Sequence, residues 1–466
     1  MKKSSLSNII SFISGPIISA AIGLLIIPIT TNLLSVEDFG KLNLFLISQT
    51  FIFMFIYLAM DHSFIRFYNI ANKQSLLANI LVLPIIVTVI LYIIALFQLK
   101  NISLFLFDTK ESYLVILLLL AIPFGILERF SQLIIRLEDK GSLYAFLIIF
   151  SKLIVLILIV VTSVIMNLNY SIVGTIYFIS QALSACLSLF FTRKHWKDIS
   201  FNNINKKEII KYARYALPMY PSTLMVWGLN SITIVLLRIF SSYSDMGIYS
   251  AATRVTNIIN VLQSAVMSFW QPMVYRWDSQ NKPLKLYKLA AKLIIISISL
   301  CFIFILIFKD YFILLLSNSF IESIALLPIL LFVPFMSLNS EIVGIGINIA
   351  KKTYLNTIFS FITLCILILL GIISISSYGA LGAALVNGTA YIVFYLMKLF
   401  ASSKVWKDLD SIFYVVNLIS LVVLSLSAYY LDNYISVILM CITMVVYVVM
   451  LYITYLKLNK LIKGRN

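Results

Sequence analysis

Seven ionisable residues stand inside long apolar stretches of this chain: Asp61, Glu128, Arg129, Lys152, Arg238, Arg254 and Glu341. Guanidinium forks and ammonium point charges are the usual holders of phosphate-type anions. A carboxylate in apolar surroundings is suited to carrying a proton or a sodium ion. Arg129, Gln132 and Arg136 recur at i, i+3 and i+7, which puts them on one helix face. Depth along their segments sets Asp61, Arg129 and Lys152 at a similar level, with Glu128 close by. Thr253, Asn257, Asn260, Ser264, Ser268 and Gln271 form a second polar stripe, with Arg254 beside its start. Tyr220, Thr223, Trp227 and Asn230 form a third, whose aromatic, hydroxyl and amide groups suit a sugar. Ser337, Glu341, Gly344 and Asn348 form a fourth, and Asn8, Ser11, Gly15, Ser19 and Gly23 a fifth.

These residues divide by chemistry. Arg129, Lys152, Arg254, Arg238, Gln132, Tyr220, Trp227, Asn230, Asn257 and Asn260 are the candidates for binding an anionic, sugar-bearing substrate. Asp61, Glu128 and Glu341 are the candidates for ion coupling. Each reading has a plainer rival. The charges in the first half can form an ion-pair network that only ties helices together. Small and hydroxylated residues also make ordinary helix-packing surfaces, and Arg238, near the end of its segment, can snorkel to the headgroups. Six polar residues with an Arg between 253 and 271 exceed what packing requires, so that stripe reads as a cavity lining.

Covalent chemistry is not expected. There is no nucleophile–base pair, no acidic metal cluster and no phosphate-cradling glycine loop, so neither a catalytic centre nor a cofactor is predicted. Cys186, Cys301, Cys365 and Cys441 each lie in an apolar run at no metal-ligand spacing and read as small core residues. His62 and His195 are too few and too scattered for a metal or triad site.

The elements that must position these residues follow from composition. Of 466 residues, 62% are hydrophobic and 11% charged, against about 45–50% and about 25% in soluble domains. The apolar runs are continuous, not alternating, so they predict membrane-spanning helices of about 20 residues and exclude a β-barrel. Fourteen spans are predicted, near 8–34, 42–67, 76–98, 113–136, 143–166, 170–192, 212–239, 246–275, 287–308, 322–350, 354–376, 379–402, 411–431 and 434–456. The first is interrupted by Gly15, Pro16 and Ser19 and reads as a membrane helix, not a cleaved signal. With both termini cytoplasmic, 27 Lys and Arg residues fall on inside segments, and only Lys41, Lys100, Lys110 and Lys309 fall outside. The net charge of +17 therefore belongs to the cytoplasmic rim and to anionic lipid, and no nucleic-acid partner is expected.

The chain also repeats itself. Trp196-Lys197-Asp198-Ile199 returns as Trp406-Lys407-Asp408-Leu409 after 210 residues. The start Tyr170-Ser-Ile-Val-Gly174 returns as Tyr378-Gly-Ala-Leu-Gly382 after 208, and the turn Leu34–Gly40 as Phe240–Gly247 after 207. The predicted fold is all-α and polytopic, with two pseudo-symmetric six-helix lobes around a central cavity plus two C-terminal helices. Its boundaries are 1–200, 201–410 and 411–466. Six spans per copy give a parallel repeat, an architecture of secondary transporters.

Several short motifs carry a family resemblance. They are Gly15-Pro16, Ile27-Pro28-Ile29-Thr30-Thr31-Asn32-Leu33-Leu34-Ser35 followed by Asp38-Phe39-Gly40, Arg66-Phe67-Tyr68, Leu217-Pro218, Gly247-Ile-Tyr-Ser-Ala-Ala-Thr-Arg254 and Trp270-Gln271-Pro272. The chain resembles the bacterial polysaccharide-repeat-unit flippases for O-antigen and capsule, within the multidrug/oligosaccharidyl-lipid/polysaccharide exporter superfamily. The resemblance implies a V-shaped cavity in the bacterial inner membrane. It further implies movement of undecaprenyl-pyrophosphate-linked oligosaccharide from the cytoplasmic to the outer leaflet. Membrane lipids, a proton or sodium ion, and the polymerase and chain-length proteins of the same pathway are the partners it brings. A peptidoglycan-precursor lipid or an organic cation is the alternative cargo on this fold, and a membrane polysaccharide polymerase the alternative class. A drug exporter would want an acidic cavity, and a polymerase a large outer loop.

The topology has a direct check in a cysteine-free background. Lys100→Cys is expected to react with an impermeant maleimide in intact cells, and Lys282→Cys only after permeabilisation. The reverse pattern would invert the orientation.

Overall fold

A computed structural model describes residues 3–197, 199, 204–311, 316–405, 410–431 and 433–462. Among the described residues every regular element is a helix. The chain forms two compact units, 1–238 and 239–466. The first holds α1 (Lys3–Leu33), α2 (Val36–Tyr57), α3 (Met60–Phe67), α4 (Lys73–Phe107), α5 (Tyr113–Leu137), α6 (Gly141–Ile165), α7 (Tyr170–Lys197), α8 (Lys206–Ala216) and nearly all of α9 (Tyr220–Phe240). The second holds α10 (Tyr243–Thr256), α11 (Ile259–Ser279), α12 (Leu284–Ile307), α13 (Glu322–Leu330), α14 (Phe332–Val343), α15 (Ile345–Ile349), α16 (Tyr354–Val405), α17 (Ser411–Tyr430) and α18 (Asn433–Ile462).

Twelve of the described segments are long and apolar enough to cross a membrane. One of them, 354–404, is two helices joined at a kink at Gly379. The predicted span 246–275 falls on the interrupted pair α10–α11, which is not among the twelve, so the count of fourteen is approximately matched. Helices are what hydrocarbon demands, since each helix satisfies its backbone within itself.

In the first unit α1 lies along α6 at very short range: a Cβ on Gly15 would come within 2.6 Å of Ala145. Small residues allow such approaches where packing, not water exclusion, holds helices together. The duplicated turns are duplicated caps. Ser35 Oγ accepts from the Asp38 amide at 3.1 Å and opens α2, and Ser242 Oγ accepts from the Asp245 amide at 3.0 Å and opens α10. Asp245 has a second task in its unit, because its Oδ1 accepts from the Ala380 amide at 3.1 Å and so caps the second half of α16. Of the other landmark, Ile199 and the residues through Lys197 are described, whereas Asp198 and Trp406–Leu409 lie outside the described residues, as do Lys2, Lys463, Arg465 and the side chains of Asn8 and Ser11.

The C-terminal pair α17–α18 is tied to its unit by buried polar contacts. Asn417 Oδ1 on α17 accepts from Ser299 of α12 at 3.0 Å and from the Tyr447 hydroxyl of α18 at 2.7 Å, and Ser425 Oγ donates to the Pro328 carbonyl of α13 at 2.7 Å. The cysteines are free, as expected, but they are not core residues: Cys186, Cys301 and Cys441 are exposed and Cys365 is half-buried. A thiol facing lipid tails meets an apolar solvent, so exposure carries no penalty there.

Gly379 has φ 52° and ψ −127°, a region essentially restricted to glycine. A Cβ there would lie 2.7 Å from both Asp245 carboxylate oxygens. Gly379→Ala is therefore expected to destabilise the protein by about 1–3 kcal/mol, read as a lowered unfolding temperature in detergent. An unchanged transition would refute the kink–carboxylate clamp.

Candidate functional site in the first unit

The chain reverses its helical handedness in the middle of the second span. Leu58 (φ 48°) and Ala59 (φ 59°) are both left-handed, a strained arrangement for residues with a Cβ. The break ends α2 and starts α3, which places Asp61 in the first turn of the new helix, where the free amides favour negative charge. His62 follows it.

Opposite the break, α5 presents Arg129. Its Nη2 lies 2.5 Å and its Nε 3.2 Å from Asp61 Oδ2. The Asp61 side chain is only 8% exposed, whereas that of Arg129 is 44% exposed. The guanidinium thus anchors one edge on the carboxylate and turns the rest outward, and among the described residues its Nη1 has no partner. One helical position earlier, Glu128 accepts from Gln132 Nε2 at 3.0 Å and from Ser184 Oγ of α7 at 2.5 Å. Lys152 of α6 acts on Glu128 electrostatically, and among the described residues it is in no salt bridge. Gly125, one turn before Arg129, leaves room for Phe53, whose ring a Cβ would meet at 2.4 Å. The Gly125 carbonyl accepts from the Tyr57 hydroxyl at 2.9 Å.

These groups surround a cavity of about 390 Å³, lined by Thr50, Phe53, Met54, Tyr57, Ala59, Asp61, His62, Gly125, Glu128, Arg129, Gln132, Gln181 and Thr223. Gln181 of α7 is oriented by Gln49 of α2, whose Nε2 donates to its Oε1 at 2.7 Å. Trp227 reaches the rim from α9: its Nε1 donates to Thr50 Oγ1 at 3.3 Å, and its ring lies 4.7 Å from that of Phe51.

The structure brings together Asp61, Glu128, Arg129 and Gln132, with Lys152 beside them and Trp227 at the edge. It does not bring Arg238 to them. That guanidinium donates to the Phe105 carbonyl at 2.7 Å and pairs with Asp108 at 2.6 Å, closing the C-terminal end of α4. The Tyr220 hydroxyl is buried without a hydrogen-bond partner among the described residues, and Asn230 bonds back to the Val226 carbonyl of its own helix at 2.7 Å.

In the second unit the predicted stripe falls on another interrupted helix. α10 ends at Thr256 and α11 starts at Ile259. Asn257 stands in the gap, and its Oδ1 accepts from Asn260 Nδ2 at 3.1 Å. Asn257, Asn260, Ser264 and Ser268 are exposed, and Arg254 is half-buried on the preceding turn. Glu341 is paired: Lys398 Nζ lies 2.6 Å from its Oε1, with the lysine side chain 5% exposed and the glutamate 32%. Gly344 makes space for the lysine stem, since a Cβ there would meet Lys398 Cδ at 3.2 Å.

A family model described as "Polysaccharide biosynthesis protein" matches residues 5–278. The chain belongs to this family. Its fold is similar to that of the lipid II flippase MurJ in an inward closed conformation, with 16% identity, a TM-score of 0.70, and 97% of this chain and 98% of that one covered. It is also similar to an inward-facing multidrug resistance MATE family transporter of the MOP superfamily (15% identity, TM-score 0.64, 87% and 99% covered). A MOP superfamily transporter from Pyrococcus furiosus matches with 16% identity, a TM-score of 0.51, and 87% and 97% covered. No curated protein sequence matches the chain. This member of the polysaccharide biosynthesis family is therefore a multi-pass membrane protein with the fold of the MOP superfamily.

Two features of this family member escape a reading by segments. Lys398, counted by sequence among cytoplasmic-rim cations, is the buried counter-ion of Glu341. His62, Thr50 and Gln181 line the first-unit cavity. The adjacency of His62 to Asp61 was the available signal for the histidine. In the first unit Arg129 and Arg238 each hold a carboxylate. Pairing lowers the cost of keeping a charge in a low-dielectric interior.

The Asp61–Arg129 pair has a measurable consequence. Asp61→Asn is expected to destabilise the protein by about 1–2 kcal/mol, less than the ~3–5 of a fully buried pair because Arg129 is near half exposed. A double-variant cycle with Arg129→Gln should show coupling on the order of 1 kcal/mol. Strictly additive losses would show that the pair does not hold α3 against α5.

Proposed function

We propose that the protein is a flippase that moves undecaprenyl-pyrophosphate-linked oligosaccharide repeat units from the cytoplasmic to the outer leaflet of the bacterial inner membrane. It does so by alternating access, supplying O-antigen, capsule or a similar polymer. The observation that carries this reading is the half-exposed guanidinium of Arg129, anchored on one edge by a buried carboxylate and presenting free donors to a cavity. Planar forks of this kind hold phosphate oxygens bidentately. Membership in the polysaccharide biosynthesis family supports a glycan-bearing cargo.

A pyrophosphate arriving at Arg129 competes with Asp61 for the same donors. A proton or sodium ion on Asp61 then replaces the charge that Arg129 withdraws, which links head-group binding to a cation. Glu128, held by Gln132 and Ser184, and Glu341, held by Lys398, are the other carboxylates through which an ion gradient can act. Lys152 extends the surface that the first unit offers to the head group, and Trp227 supplies it an aromatic face; Arg254, Asn257 and Asn260 are the polar surface that the second unit offers by itself. Peptidoglycan precursor shares the pyrophosphate chemistry, so it is the second cargo to test, and the fold likeness to the lipid II flippase MurJ motivates including it.

In liposomes holding a fluorescent polyprenyl-pyrophosphate oligosaccharide, the protein is expected to bring probe to the opposite leaflet at a saturable rate. Arg129→Ala is expected to slow this at least tenfold, the loss of about 1.4 kcal/mol or more of head-group binding, and Arg129→Lys to restore part of it. Equal rates for wild type and Arg129→Ala would sink the assignment, and preferential movement of peptidoglycan precursor would change the cargo.

A further inference from the structure

The C-terminal ends of α5 and α7 carry another cavity, of about 410 Å³, whose lining shares no residue with the one described above. It stands at the ends of two helices that are long and apolar enough to cross a membrane. Its frame is fixed: Thr192 Oγ1 and Trp196 Nε1 of α7 both meet Ser131 Oγ of α5, at 2.9 and 3.0 Å. Glu138 lines it and is already occupied, by Lys140 Nζ at 2.8 Å and His195 Nε2 at 2.9 Å. That leaves Arg193 and Lys194 on the same lining with no carboxylate partner among the described residues. Arg193 stacks over the Phe190 ring at 5.1 Å from its centroid, and Phe190 and Phe191 are 57% and 43% exposed on the same rim.

We infer that this cavity binds the phosphate headgroup of an anionic phospholipid, with Arg193 and Lys194 as its principal holders. Three permanent cations face one carboxylate there, which selects a net negative headgroup over a zwitterionic one. A guanidinium positioned on an aromatic face and a neighbouring ammonium offer a fork and a point charge to one phosphate. The exposed Phe190 and Phe191 supply the apolar surface along which acyl chains lie, and that surface distinguishes a lipid from a soluble phosphate. The inference stands on this cavity alone and is independent of the cargo proposed above.

The test uses the full-length protein, delipidated in detergent and followed by native mass spectrometry with no transport readout. Phosphatidylglycerol is expected to bind about tenfold more tightly than phosphatidylcholine, and glycerol phosphate not to compete. The double variant Arg193→Gln/Lys194→Gln should lose this preference. Lys206→Gln/Lys207→Gln on α8, with the same charge change, should keep it. Equal binding of the two lipids by wild type, or an unchanged preference in the Arg193/Lys194 variant, overturns the inference. Effective competition by glycerol phosphate overturns the lipid assignment in favour of a free phosphate. If the double variant does not fold, Lys140→Gln is the deciding variant: a reduced preference supports the site, and a full one overturns it.

Discussion

The cost of leaving a charge or a backbone polar group without a partner in hydrocarbon organises this molecule. It dictates helices throughout, and it dictates what each intramembrane charge must do. Asp61 is buried only because Arg129 meets it at 2.5 Å, and Lys398 only because Glu341 meets it at 2.6 Å. Arg238 satisfies the same requirement differently, on the last carbonyls of α4 and on Asp108. In each case one member of the pair is more exposed than the other, so the pairs sit at boundaries between protein interior and cavity or surface, not in the deep core.

Helix interruptions are the second organising device, and they fall at chemistry. The left-handed step at Leu58–Ala59 exists in α2–α3 at the expense of strain, and it delivers a fresh helix N-terminus to Asp61. The gap at Asn257–Ile258 separates α10 from α11 beside Arg254 and within the amide-rich stripe. The kink at Gly379 is different in kind, because it is clamped by the Asp245 carboxylate and serves the packing of its own unit. Interrupted helices near ionisable groups give a membrane protein both polar backbone and a place to bend, which uninterrupted spans cannot offer.

Much of this was legible from the residues. The apolar runs located the helices, because hydrocarbon thickness sets a minimum length for them, but not their ends or breaks: α4 runs to Phe107, nine residues past its predicted end at 98, and the predicted spans 42–67 and 246–275 are each two helices. The repeated Ser-x-x-Asp turns were visible as a 207-residue echo, and each is a helix N-cap, of α2 and of α10. The convergence of Asp61, Arg129, Gln132 and Glu128 followed from depth and from i, i+3 spacing on α5.

Sequence alone therefore determined that the chain is apolar enough for membrane spans and that its elements are helices, because composition and periodicity are one-dimensional properties. Tertiary structure alone decided which charges meet. That Lys398 leaves the rim for Glu341, that Arg238 serves α4 and not the cavity, and that His62 and Gln181 join Arg129 depend on helix rotation and on breaks such as Leu58–Ala59. Rotation is set by packing details such as Gly15 against Ala145 or Gly125 against Phe53, and these pair residues far apart in the chain that no local pattern relates.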